Sequence, residues 1–239
     1  MKLLIDAGNT RIKWAWVNGE TWLNDGALPL EQVGELARQL AAVTGVRQVW
    51  VSNVAGDALA RPLRNLYPDA ATRFVAARPS QCGVRNGYDD PARLGSDRWA
   101  ALIAAWHLVR GRCLVVNSGT ATTIDTLSSS AEFSGGLILP GVDLMQRSLG
   151  LATAQLDPAP GCYTPLPRNT ADAMLSGAIQ ASCGAIERQH ALLNDPSAMV
   201  VLSGGNADRL KEQLNLPLLT VDNLTLRGLL LIAQEEGAQ

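Results

Sequence analysis

One pattern recurs in this chain and constrains its fold more than any other feature. "LLIDAGNTRIKWAWV" (3–17) runs an apolar strand into Asp6, turns through Gly8, Asn9 and Thr10, and leaves as an alternating strand. About 110 residues later, "CLVVNSGTATTIDTL" (113–127) repeats the plan: an apolar run, a small polar turn, an alternating strand. Asn and Thr suit tight turns, and a hairpin needs nothing more. An acid, exposed backbone N–H groups and a hydroxyl gathered at one turn also suit a metal-bound nucleotide phosphate. Helix–strand alternation follows each unit. Two similar α/β halves, facing each other with a nucleotide between their turns, are therefore expected. A single mixed sheet with accidental similarity is the alternative.

The remaining pattern alternates in the same way. It predicts strands at 2–6, 11–17, 47–53 and 72–76, and helices at 31–42 and 57–66. A Gly/Pro/Asp-rich loop covers 83–96, followed by an apolar helix at 97–109. After the second hairpin come a strand at 133–141 and a helix at 142–150. A proline-rich loop (151–168) leads to a long helix at 170–192. A strand at 198–202, a helix at 205–213, a strand at 217–221 and a helix at 223–234 complete the chain. The expected domains are 1–110 and 111–239.

Composition excludes several classes. A chain of 239 residues with 47% hydrophobic and 18% charged residues has ample core for an ordinary globular protein. A net charge of −2 and the lack of any Lys/Arg run argue against a nucleic-acid partner. Only Lys2, Lys13 and Lys211 are lysines, and the first two flank the opening turn. With no apolar stretch of membrane-spanning length and no leader pattern, a cytoplasmic protein without a membrane partner is expected. Cys82, Cys113, Cys162 and Cys183 are widely spaced, and His107 and His190 stand apart. Free thiols, not a structural zinc site, are the reading.

"DAGNTRIK", "SGTATTID" and "LSGG" occur in the order of the phosphate-1, phosphate-2 and adenosine motifs of the actin, sugar-kinase and heat-shock-ATPase superfamily. "PARLGSDRW" (91–99), "SGGLILPG" (134–141) and "NTADAMLSGAI" (169–179) narrow the match. Together they closely resemble the type III pantothenate kinases, over essentially the whole chain. The resemblance implies an α/β fold of two ribonuclease H-like domains with a nucleotide cleft between them. It also implies a homodimer and ATP-dependent, magnesium-assisted phosphorylation of pantothenate, the first step toward coenzyme A.

Carried onto this sequence, the resemblance assigns nucleotide contacts to Asp6, Ala7, Gly8, Asn9, Thr10, Arg11, Ile12 and Lys13, and to Thr120, Gly204 and Gly205. Asp6 would hold Mg²⁺, directly or through water. For Lys13, added charge at the phosphates and a solvated strand face both remain open. Asp97 matches the catalytic base, although an Asp at a helix start is also an ordinary cap. Gly95 and Ser96 would bring backbone close to pantothenate, and Arg98 would offer a planar fork to a carboxylate or phosphate. Tyr88 matches an aromatic position of the pantothenate pocket. Thr170 matches a contact supplied by the dimer partner, and by itself reads as a helix N-cap.

One residue departs from the family pattern. The second phosphate turn usually begins Asp-x-Gly-Thr, and that acid binds a monovalent cation such as K⁺ or ammonium. Here the position is Asn117, whose amide keeps an oxygen but loses the charge, which weakens such a site. Asp125 reads either as a structural strand acid or as a helper elsewhere. The change at Asn117 also leaves room for a catalytically silent relative, and the fold for a kinase of another small hydroxylated substrate. An actin-type filament former is disfavoured by the short chain.

Overall fold

The computed structural model describes residues 1–40, 43–152 and 159–237, which form two compact units: 1–108 with 223–237, and 109–222. In the first unit, β1 (Lys2–Ala7), β2 (Arg11–Asn18), β3 (Thr21–Pro29), β4 (Gln48–Asn53) and β5 (Ala71–Phe74) form a sheet in the order β3-β2-β1-β4-β5. The β1–β2 and β2–β3 pairs are antiparallel, whereas β4 lies parallel to both β1 and β5. β1 is apolar because it is the centre of this sheet: Leu3, Leu4 and Ile5 have no exposure at all. Leu3, Ile5, Ile12, Trp14, Val49 and Val51 join Leu36 and Leu40 of α1 (Val33–Leu40) and Leu63 of α2 (Ala60–Arg64) in one core.

A short hairpin, β6 (Ser80–Gln81) and β7 (Val84–Asn86), precedes α3 (Ser96–Val109), whose residues 98–105 are all buried. A helix of such even burial needs no amphipathic stripe, which is why it reads as apolar throughout.

The second unit repeats the plan with β8 (Cys113–Ser118), β9 (Ala121–Leu127), β10 (Glu132–Pro140), β11 (Met199–Ser203) and β12 (Leu218–Thr220). Their order is β10-β9-β8-β11-β12, with two antiparallel pairs and then two parallel ones. Strand for strand this is the topology of the first unit, so the repeated hairpin does mark a repeated architecture. α4 (Val142–Ala152), α5 (Thr170–Leu192) and α6 (Ala207–Lys211) cover its core, where Ile179, Cys183 and Ile186 meet Leu114, Val116, Val200 and Leu202.

Three expectations are corrected. The first unit has a third strand, β3, unpredicted because it is a solvated edge: of its nine residues only Leu28 is buried. The loop expected over 83–96 contains β7 and a 3₁₀ turn at Pro91–Arg93, capped by the Asp90 carboxylate accepting from Ala92 N at 3.1 Å. The split at 110/111 misassigns the C-terminus, because α7 (Leu224–Glu235) packs on β1 and β4 and belongs to the first unit. Residues 153–158 of the expected proline-rich loop lie outside the described residues. Among the described residues no helix is long and apolar enough to cross a membrane.

α7 is seated by backbone contact, since a Cβ on Gly228 would lie 1.9 Å from the Ala100 carbonyl oxygen of α3. Gly228→Ala should therefore force α3 and α7 apart. Overpacking of this kind costs about 1–3 kcal/mol, and at roughly 2–4 °C per kcal/mol for a chain of this size Tm falls by several degrees. Thermal denaturation followed by circular dichroism measures the fall.

Candidate active site

Asp6 occupies the last turn of β1, where the parallel strand β4 ends beside it: Asp6 pairs with Ser52, and Val54 N donates to Ala7 O at 3.0 Å. The carboxyl ends of parallel strands are where α/β sheets place ligands. The β1–β2 turn is closed by Gly8 N donating to Arg11 O at 3.1 Å, which leaves Asn9 and Thr10 exposed at its tip. Ala7 and Ile12 are fully buried in the core, so they can offer a nucleotide only backbone. Arg11 is exposed. Lys13 sits directly across from Asp6 on β2, and its positive charge acts on the carboxylate.

Asp97 reaches the same place from α3. Burial and, second, the nearby negative charge of Asp97 push the Asp6 pKa up to about 7, against the opposing effects of Lys13 and the Thr225 hydroxyl. The pKa of Asp97 is also raised, mainly by burial, with the Arg98 N–H and guanidinium working against it. Two carboxyl groups that each resist ionisation and repel each other form a site that a cation relieves. Mg²⁺ is held by one or two carboxylates together with phosphate oxygens and water, and needs no dedicated cage. The donor set here fits that requirement.

Asp97 is the second residue of α3, and its Oδ1 accepts from Arg98 N at 2.8 Å, so it serves the helix end as well. Gly95 leaves the carboxylate its place, since a Cβ there would lie 2.6 Å from Asp97 Oδ1 and push that side chain aside. Ser96 is buried with its Oγ 2.9 Å from Ser52 Oγ, so its side chain is committed inward and only its backbone can face a substrate. Arg98 is 7% exposed, and its Nη1 donates to the Tyr88 hydroxyl at 2.8 Å while the guanidinium carbon lies 5.6 Å from the ring centre. Tyr88 and Arg98 thus act as one unit. Asn86, which sequence reasoning passed over, orders this loop: its Oδ1 accepts from Tyr88 N and its Nδ2 donates to Pro91 O, both at 3.1 Å.

The second unit has its own tight turn. Gly119 N donates to Ala121 O at 2.9 Å, and Gly141 N donates to Thr120 O at 2.9 Å. A Cβ on Gly141 would lie 2.0 Å from Gly119 O. Gly204, at φ +102°, approaches the Ser118 backbone so closely that a Cβ would lie 2.3 Å from Ser118 O. "LSGG" therefore packs directly on the second turn. Gly205 has nothing within 4 Å of where a Cβ would stand and is open to a ligand. Asn117 is half-buried at the end of β8, opposite Thr123 and Ser203, while Asp125 is buried within β9.

Thr170 is not the N-cap of α5. That role belongs to Asn169, whose Oδ1 accepts from Asp172 N at 2.9 Å and whose Nδ2 donates to Asp172 Oδ2 at 2.6 Å. The cap satisfies the helix one residue earlier and leaves Thr170 exposed. It lines a shallow concavity with Leu149, Arg168 and Met174.

Missed by sequence reasoning were Ser52, Asn86, Gly141 and Thr225. "SGGLILPG" already held Gly141, and a polar residue ending the apolar run of β4 was a signal for Ser52. Thr225 is 219 positions from Asp6 and carries no local signal.

Two α/β units of one topology make up the fold shared by sugar kinases and actin-like ATPases. Solved structures bear this out. A Campylobacter jejuni protein provisionally described as a Baf-family transcriptional activator superposes with TM-score 0.64 at 22% identity, covering 99% of this chain and 100% of its own. A Sinorhizobium meliloti protein provisionally described as a 2-dehydro-3-deoxygalactonokinase gives TM-score 0.61 at 16% identity, covering 100% and 96%. The chain belongs to the type III pantothenate kinase family, whose sequence profile matches residues 2–191. The type III pantothenate kinase of Aromatoleum aromaticum is 51% identical over the whole of both chains. That of Nitrosospira multiformis is 46% identical, covering 98% of this chain and 91% of its own.

A carboxyl whose pKa is higher in the folded than in the unfolded chain binds its proton more tightly when folded. Its contribution to stability is full below the unfolded value of 3.8 and is lost as pH rises through about 7. Without magnesium, stability to urea should therefore fall between about pH 4 and pH 7 and level off above that, and Asp6→Asn should flatten the fall. Urea titrations of both proteins across this range, with EDTA present, check it.

Proposed function

We propose that Asp97 is the general base of an ATP-dependent pantothenate kinase, and that its convergence with Asp6 at one buried strand end is the observation that carries the assignment. The chain transfers a phosphoryl group from ATP to the primary hydroxyl of pantothenate, opening coenzyme A biosynthesis. Phosphoryl transfer asks for positioning and for neutralisation of charge. Asp97 accepts the hydroxyl proton, and burial makes it a better acceptor by raising its pKa. Asp6 is the residue to hold magnesium, which supplies charge neutralisation at the phosphates when bound. The backbone of residues 7–12, the Asn9 and Thr10 side chains and Lys13 address the phosphates from the first turn. Thr120 addresses them from the second, Gly205 leaves room for the adenosine, and Gly204 seats that segment on the second turn. Arg98 and Tyr88 receive the carboxylate and amide of pantothenate, with Gly95 and the Ser96 backbone alongside.

A homodimer completes this reading. Ile138, Leu151 and Leu166 of the second unit are 64%, 90% and 84% exposed, and Leu149 lines the concavity that holds Thr170. Exposed apolar groups of this size suit a second copy of the chain, with Thr170 reaching its partner's pantothenate. The substrates are water-soluble metabolites, and a cytoplasmic location suits them. A catalytically silent relative is disfavoured by Asp6, Asp97 and Arg98 standing together in one site.

Asp97→Asn should lower kcat by about 10²–10⁴-fold, the scale of a lost general base. The fold should persist, because the Asn amide oxygen can still accept from Arg98 N. ADP release with ATP, Mg²⁺ and pantothenate measures the loss, and turnover near that of the natural protein would remove Asp97 from this role.

The monovalent cation turns on Asn117. A carboxylate at this position would draw a cation to offset its repulsion of the phosphates. The amide removes that charge, so activity should persist in sodium or Tris buffers with weak dependence on K⁺ or ammonium. Asn117→Asp should make K⁺ necessary. A K⁺ titration of both proteins at constant ionic strength decides the matter, and a steep requirement unchanged by the substitution would place the cation on other ligands.

A further inference from the structure

Ser52 is an anomaly in β4. The strand reads Gln48-Val-Trp-Val-Ser-Asn53, and Ser52 is as completely buried as Val49 and Val51, at 0% exposure. A buried hydroxyl is unfavourable unless it is hydrogen-bonded, and an apolar residue would serve a core position better. Its partner is the Ser96 hydroxyl at 2.9 Å, 44 residues away and itself 8% exposed. Ser96 is the first residue of α3, immediately before Asp97. On its other side Ser52 is in register with Asp6 of β1, and residues paired across neighbouring strands share a face. The next residues repeat the approach: a Cβ on Gly95 would lie 3.9 Å from Val54 Cγ1.

We infer that Ser52 is a positioning residue for phosphoryl transfer: its bond to Ser96 ties the strand pair carrying Asp6 to the helix end carrying Asp97. The inference rests on the assignment of those two acids as magnesium carboxylate and base. The two repel each other, and nothing in the local geometry of β1 or of α3 sets their separation. A hydroxyl pair provides a short, directional link between the two elements, whereas an apolar contact would leave the helix end free to slide. Ser52 is fully buried, and its hydroxyl is engaged by Ser96. It acts through Ser96 on where Asp97 stands.

The test is a double-substitution cycle on steady-state kinetics, using Ser52→Ala, Ser96→Ala and the pair together, with ATP, Mg²⁺ and pantothenate. Each single variant should lose kcat by about 10–100-fold, the scale of an ångström-sized misplacement. KM for ATP and for pantothenate should stay within about threefold, because the binding groups are untouched. The double variant should be no slower than the slower single one, since both remove the same link. A folded Ser52→Ala protein with kcat within twofold of the natural one overturns the inference. So do losses that multiply in the double variant, or a change confined to Tm. Should Ser52→Ala fail to fold, Ser96→Ala carries the same prediction from the less buried end of the bond. Asp97→Asn assayed alongside separates the two levels. If it is inactive while both serine variants are normal, only the link is wrong. If it retains turnover, the base assignment fails and the link falls with it.

Discussion

The site depends on an unfavourable contact held in place. Asp6 and Asp97 arrive from a strand and a helix, and each is made harder to ionise by burial. Like charges in a poorly solvated place would separate if the elements bearing them could move. They are held by the apolar centre that β1 makes in its sheet, by the burial of α3 over residues 98–105 with Gly228 of α7 against its backbone, and at the helix end by the Ser52–Ser96 bond. Core packing thus holds an electrostatic tension that magnesium and phosphate chemistry can use.

The same fold plan serves a different purpose in each unit. At the first turn the strand ends in Asp6 and the tip residues are exposed, a shape for a metal and phosphate oxygens. At the second, Gly119, Gly141 and Gly204 bring three backbones into contact, a shape made by leaving side chains out. The Ser118 and Thr122 hydroxyls there are turned inward to each other at 3.0 Å. Backbone N–H groups at such a turn can meet anionic oxygens without bringing further charge.

α7 joins these themes. It returns the C-terminus to the first unit, where Thr225 lies against Asp6. Its far end is anchored by Glu236, which binds Arg73 at 2.9 Å and Arg78 at 2.6 Å, and by Glu235, which accepts from Cys82 N at 2.8 Å. Lys2 Nζ donates to Ala233 O at 2.9 Å, so the first strand and the last helix hold each other. Exposed ion pairs contribute little singly. Here they fix the direction of a helix whose opposite end touches the site.

What the sequence determined by itself was whatever a contiguous stretch encodes. The repeated hairpins announced two α/β units, because strand pairing through a tight turn is local. Asp6, Gly8 to Lys13, Asp97, Arg98 and Gly204 could be singled out because they lie in short contiguous motifs that resemble those of the family. Tertiary structure alone decided the rest. β3 carries no apolar pattern, since an edge strand in water needs none. Asn169 took the cap from Thr170 by a single residue, because its extended backbone lets its amide oxygen accept from Asp172 N. α7 joined the first unit because Gly228 fits against Ala100, and Ser52 met Ser96 because strand register brought a polar end beneath a helix start. These are contacts between residues far apart in the chain, and no local pattern foretells which distant surface will be there to bury them.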